Sequence, residues 1–140
     1  RHRPEHSDGF ALWLDTRDTK NVHRAGRFCH QFLFLPFGEG KKADRPCALQ
    51  SPIHLARENA PLASPGTIHL HSAKQQGGYT LDLLLESAAL NGYEPDEHAR
   101  LGFTCAVQDQ ELGIQSFSCG PEFPFNHDPS LWATLELTRD

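Results

Sequence analysis

Phe10-Ala11-Leu12-Trp13-Leu14-Asp15 decides how this chain folds. Phe10, Leu12 and Leu14 fall on every second position, and a period of two belongs to a β-strand, whose successive side chains leave opposite faces of the backbone. The polar turn Thr16-Arg17-Asp18-Thr19-Lys20-Asn21 closes the run. Six more runs of the same kind follow. Phe28-Cys29-His30-Gln31-Phe32-Leu33-Phe34-Leu35 is rich in aromatics and is stopped by Pro36. Thr67 to His71 sets Ile68 and Leu70 against His69 and His71. Tyr79, Leu81, Leu83 and Leu85 alternate with Thr80, Asp82, Leu84 and Glu86 directly after the Gly77-Gly78 turn. Leu101, Phe103, Cys105 and Val107 make a fifth run, Ile114 to Cys119 a sixth. In the seventh, Leu131, Ala133, Leu135 and Leu137 alternate with Trp132, Thr134 and Glu136. Short runs with one apolar face predict half-buried strands.

Helical periodicity is weak. Ser87-Ala88-Ala89-Leu90 before Asn91-Gly92 predicts one turn with a glycine stop, and Ile53 to Glu58 another. Neither is long enough for a crossover between parallel strands. The fold class expected is therefore all-β: an antiparallel β-sandwich, jelly-roll-like, with little helix. Phe37 to Gly66 shows no clear strand and holds Pro46, Pro52, Pro61 and Pro65. It reads as a long excursion across one end of the sandwich, pinned by Leu49, Ile53, Leu55 and Leu62, and loops of that length tend to be functional.

Composition bounds the function. The 140 residues carry 13 Lys and Arg against 18 Asp and Glu, a formal charge of −5. Nucleic-acid binding needs a basic footprint, so that partner is not expected. No apolar run approaches the ~20 residues of a membrane helix, and Arg1-His2-Arg3-Pro4-Glu5 lacks the apolar core of a signal peptide. A soluble chain with no membrane partner is the expectation; the compartment stays open. Met is absent, position 1 included, so the chain reads as processed or as part of a longer polypeptide with other domains. Cys29, Cys47, Cys105 and Cys119 have no metal-ligand spacing, and either two disulfides or buried thiols fit them.

Candidate chemistry is sparse. His69 and His71 share a strand face about 6–7 Å apart, a spacing that suits two ligands of one metal ion, but no third ligand follows closely. Two surface histidines without a metal are expected. Asp8, Asp15 and Asp18 crowd the ends of the first run and offer oxygens of the kind calcium takes, though turn capping accounts for them as well. Asp82 and Glu86 share a face, but about 13 Å of strand separates their backbones, too far for a dependable glycosidase pair. Cys29 and His30 are strand neighbours and point to opposite faces, which undercuts a thiol–imidazole dyad. No catalytic residue is assigned. Trp13 and Trp132 lie opposite the apolar faces of their runs, where a ring either packs under loops or stacks on a sugar. Trp13 with Asp15 on its face, and Trp132, are the candidate ligand-binding residues.

In order along the chain, several segments resemble one family. Ser7-Asp8-Gly9 followed by Phe10 to Asp18 resembles the Asp-flanked strand of family 9 carbohydrate-binding modules. Gly78-Tyr79-Thr80-Leu81-Asp82-Leu83-Leu84-Leu85-Glu86, with Leu90 and Gly92-Tyr93, is similar to that family's G-Y-x-x-E-x-x-I-P…L segment, with Asp82 for Glu. Leu101-Gly102-Phe103-Thr104-Cys105-Ala106-Val107-Gln108-Asp109 resembles its x-G-F-x-x-x-V-x-D strand, and Trp132-Ala133-Thr134-Leu135-Glu136-Leu137 its closing W-x-x-L-x-L strand. The resemblance spans residues 7–138 and implies a jelly-roll-like sandwich that binds oligosaccharide or polysaccharide without catalysis, often beside carbohydrate-active enzymes. Family members begin with several strands ahead of the Asp8 position. On that footing residues 1–140 form one domain, the C-terminal two-thirds of such a module, and at least one strand should lack a neighbour. The alternatives are a β-sandwich glycoside hydrolase, a cupin-like metal enzyme, and a purely structural accessory domain.

Overall fold

A computed structural model describes residues 9–39, 45–109, 113–117 and 124–138. The fold is all-β and antiparallel. Its strands, among these residues, are β1 (Gly9–Asp15), β2 (Cys29–Glu39), β3 (Arg45–Ser51), β4 (Ile68–Gln75), β5 (Gly78–Leu85), β6 (Arg100–Asp109), β7 (Gly113–Ser116) and β8 (Ala133–Glu136). Single 3₁₀ turns lie at Pro65–Thr67, Ser87–Ala89 and Pro129–Leu131. The turn expected at Ser87 is thus present, with Gly92 beyond it at φ +80°. The helical turn expected at Ile53 to Glu58 is instead an irregular loop closed by the Ala56 N–H on the Ile53 carbonyl.

The larger sheet runs β3-β2-β1-β6-β7, and β8 pairs with β6 as well. β6 accommodates both because β8 uses Arg100 to Phe103 and β7 uses Ala106 to Asp109. The second sheet is the hairpin β4–β5, joined at Gln76-Gly77 and paired to no other strand among the described residues. β3 was hidden inside the proline-rich excursion. It sits at the sheet edge, where Pro46 forfeits no bond to a second neighbour. β2 runs past Pro36 to Glu39 by slipping register after Leu35, so the proline marks an irregularity rather than an end.

β1 lies at the centre of the large sheet, and both of its faces are covered. Toward the hairpin, Leu12, Leu14, Phe32, Phe34 and Leu90 are buried against Ile68, Leu70, Leu81, Leu83 and Leu85. His30, Phe32 and Phe34 share this face at alternate positions of β2, with ring centroids 6.1 and 6.2 Å apart. The opposite face carries Trp13, Cys29 and Ala106, and loops close over it with Ala25, Ile53, Phe125 and Trp132. The result is three layers: hairpin, sheet and loops. Of the residues expected to pin the long excursion, Ile53 alone is buried; Leu49, Leu55 and Leu62 are exposed.

Candidate functional site

Neither tryptophan offers a stacking surface. Trp13 and Trp132 are 5% and 2% exposed. Trp13 meets Phe125 edge-on at 5.5 Å, and its Nε1–H donates to Gln31 Oε1 at 2.9 Å. The Trp132 Nε1–H donates to the Phe125 carbonyl at 2.6 Å. The alternation expected of the seventh run breaks down, because β8 starts only at Ala133, Trp132 caps the preceding turn, and Thr134 and Glu136 are exposed along with Leu135 between them. A ring of this size buries about 150–250 Å², worth roughly 4–6 kcal/mol of gross burial. These rings are core.

Asp15 is buried as well, and its carboxylate is taken up by the turn that follows. Oδ1 accepts the Arg17 N–H at 2.9 Å, and Oδ2 accepts the Thr19 N–H at 2.9 Å and hydroxyl at 2.6 Å. Asp18 pairs with the Lys20 ammonium at 2.9 Å and accepts the Thr134 hydroxyl. Asp8 lies outside the described residues. His69 and His71 face outward on the hairpin, where His69 Nε2 is 2.5 Å from Glu86 and His71 stands across from Asp82. Among the described residues no three such side chains converge in a way that could hold a metal ion. Cys29 and His30 point to opposite faces. Cys29 packs with Trp13, and its thiol is pushed up to about 12, first by burial and then by the Asp15 charge.

The side chains that do converge come from loops. At one end of the large sheet the segments 16–28, 52–67 and 86–99 are tied together. The Arg57 N–H donates to the Ala25 carbonyl at 2.8 Å, the Arg24 Nε–H to the Leu55 carbonyl at 2.9 Å, and the Asn91 amide to the Arg27 carbonyl at 2.8 Å. The Thr16 hydroxyl donates to the Asn91 carbonyl at 2.8 Å. Gly92 belongs here for a steric reason: a Cβ on it would stand 2.4 Å from Phe28 Cδ1.

These ties shape an open cleft of about 430 Å³ lined by Arg27, Phe28, Glu58, Asn59, Pro61 and Asn91. The Phe28 ring carries the guanidinium carbons of Arg17 and Arg27 at 4.4 and 5.0 Å, so the arginines occupy its faces. Arg17 is also held by Glu94 at 2.7 Å. Asn59 accepts the Ile53 N–H on Oδ1 at 3.2 Å, which leaves its amide N–H₂ to donate. Glu58 contributes an exposed carboxylate and Arg27 an exposed guanidinium. Donors and acceptors of both kinds therefore meet on one polar rim, an arrangement that can hydrogen-bond neighbouring hydroxyl groups. A smaller apolar recess of about 270 Å³, lined by Cys29, Pro52, Ile53, Ala60 and Leu62 among others, shares Asn59 with it. No single run of sequence announces this site. The one available signal is the density of basic residues between Arg17 and Arg27.

The class that fold and rim define is an all-β antiparallel domain with a polar cleft built from loops. No helix among the described residues is long and apolar enough to cross a membrane. No protein-family model and no curated protein matches the chain.

Proposed function

We propose that this domain is a non-catalytic carbohydrate-binding module, of the kind its strands resemble in family 9, and that sugar lies in the rim cleft of Arg27, Glu58, Asn59 and Asn91. The observation that carries the reading is the convergence of these four polar side chains on one open cleft at the loop end of a β-sandwich. Hydroxyl-rich ligands need that mixture of donors and acceptors. Glu58 is the one carboxylate among the lining residues, whereas glycosidic hydrolysis uses a pair. Binding therefore serves to hold a polysaccharide near an attached or associated carbohydrate-active enzyme. With the Phe28 ring of the cleft covered by Arg17 and Arg27, the affinity is modest, near millimolar or about −4 kcal/mol for a short oligosaccharide.

Titration of the protein with cello- and xylo-oligosaccharides, followed by backbone amide NMR, tests this. The expected result is shifts confined to residues around Arg27, Glu58, Asn59 and Asn91, with Glu58→Gln and Asn59→Ala each weakening binding about tenfold. Shifts clustered elsewhere, or none with any oligosaccharide of a broad glycan set, overturn it.

A further inference from the structure

Beside the polar rim lies a second cleft, of about 320 Å³, lined by Asn21, Val22, His23, Arg24 and Arg57. Its charge is set apart from that of the chain. Residues 16–28 hold Arg17, Lys20, Arg24 and Arg27 against Asp18 alone, a net +3, while the whole chain is −5. Arg17 is matched by Glu94 and Lys20 by Asp18. His23 Nδ1 stands 3.3 Å from Asp128 and 3.0 Å from the Ser130 hydroxyl. Arg24 and Arg57 have no carboxylate at ion-pair distance among the described residues.

Two arginines nonetheless line one concavity, and hydrogen bonds to backbone carbonyls tie their loops together there. Arg24 spends its Nε–H on the Leu55 carbonyl, and the Arg57 backbone N–H is spent on Ala25. Each loop thus fastens the other's arginine, Arg24 through its side-chain Nε–H and Arg57 through its backbone. Ala25 and Ile53, at 0% and 5% exposure, anchor the two loops in the core. Leu55 takes a left-handed φ of 60° to make the connection. Among the described residues the terminal nitrogens of Arg24 and the Arg57 guanidinium remain as donors, with the Asn21 amide and the His23 ring beside them. Paired like charges held together repel unless an anion lies between them, and the guanidinium fork matches carboxylate, sulfate or phosphate oxygens two at a time.

We infer that the Arg24–Arg57 cleft is an oxyanion-binding site, and, resting on the proposed sugar-binding reading, that its occupant is the carboxylate or sulfate group of an acidic oligosaccharide. Arg57 lines this cleft and the next residue, Glu58, lines the neutral-sugar cleft; Arg24 and Arg27 divide in the same way. One ligand chain can therefore cross both. Glu58 repels an acidic unit from its own cleft, so the charged unit belongs beside Arg24 and Arg57 and an uncharged ring beside Glu58.

Three probes, trigalacturonate, cellotriose and sodium sulfate, are titrated into the wild-type protein and into Arg24→Gln, Arg57→Gln and, as a distant control of equal charge change, Arg100→Gln. Trigalacturonate is expected to bind at least tenfold more tightly than cellotriose. Either cleft variant should remove that advantage, the Arg100 control should keep it, and 0.5 M salt should reduce it. If both trisaccharides bind equally and neither cleft variant matters, the inference falls while the sugar reading stands. If sulfate shifts Asn21 to Arg24 and Arg57 but neither trisaccharide binds, the oxyanion site holds and the sugar reading falls. No response around Arg24 and Arg57 to any of the three overturns the site.

Discussion

His30 and Asn91, 61 positions apart, are joined by a hydrogen bond in which the Asn91 backbone N–H donates to Nε2 of the imidazole at 2.8 Å. That bond assigns the neutral tautomer, with the proton on Nδ1 toward the Leu14 carbonyl at 3.4 Å. The ring is 1% exposed. Burial lowers its pKa, and the carbonyls of Leu14 and Phe28 and the charge of Asp15 oppose that only in part. A proton on Nε2 would face a donor instead of accepting from one. The β5–β6 loop is thereby fastened to β2 through a group that must stay uncharged.

Acid should loosen this fastening. The unfolded chain takes up the His30 proton near pH 6.5, before the folded chain does, so the stability contribution is complete above that pH and is lost as pH falls below it. The slope is at most about 1.4 kcal/mol per pH unit from this one group. Urea unfolding at pH 7.5 and 5.5 should show a smaller difference in His30→Gln than in wild type. An equal difference in both would assign the acid sensitivity to another group.

Cys29 should be chemically silent in the folded protein. Thiolate is the reactive form, and a pKa pushed up to about 12 leaves almost none of it at pH 8. Peptide mass spectrometry after iodoacetamide treatment should find Cys29 unmodified under native conditions and fully alkylated in urea. Rapid native labelling would contradict the burial described here.

Trp13→Ala and Trp132→Ala should each cost about 3–5 kcal/mol, as expected for removing a large buried ring. Thermal unfolding reports this directly. A variant that keeps the wild-type midpoint would place its ring outside the core.

Gly92→Ala tests the loop junction. Alanine pays about 1–2 kcal/mol for the left-handed backbone and meets Phe28 besides. Phe28→Leu in the same chain should recover only the part due to the clash. Full recovery would show that backbone conformation contributes nothing.

Alternation revealed the strands whose two faces differ in polarity. Leu12 and Leu14 of β1, and Ile68 and Leu70 against His69 and His71 in β4, are such cases. β3 stayed hidden because Arg45-Pro46-Cys47-Ala48-Leu49-Gln50-Ser51 has a proline at its second position and no regular apolar face. Trp132 was misplaced because strand spacing was carried back past Ala133 onto the residue that caps a 3₁₀ turn. Asp15 looked like a ligand only while its partners Arg17 and Thr19 were unseen. Of the rim, only the density of basic residues between Arg17 and Arg27 was legible: Arg27, Glu58 and Asn91 meet because three loops are laced together by backbone carbonyls, and such bonds leave no residue-type signature in a sequence.

The hairpin layer has a consequence for how the molecule comes apart. No described side chain of β4 or β5 is fully buried, and even the inward-facing Leu81, Leu83 and Leu85 are only half covered. β1, in contrast, is enclosed on both faces and paired on both edges. Free energy of opening follows such differences, and partial unfolding proceeds in cooperative pieces. The hairpin is thus the piece with least to lose on lifting away, and its amide protons should trade with solvent deuterium well before those of β1. Opening there would bring Phe32, Phe34 and Leu12, which pack beneath the hairpin, into contact with water.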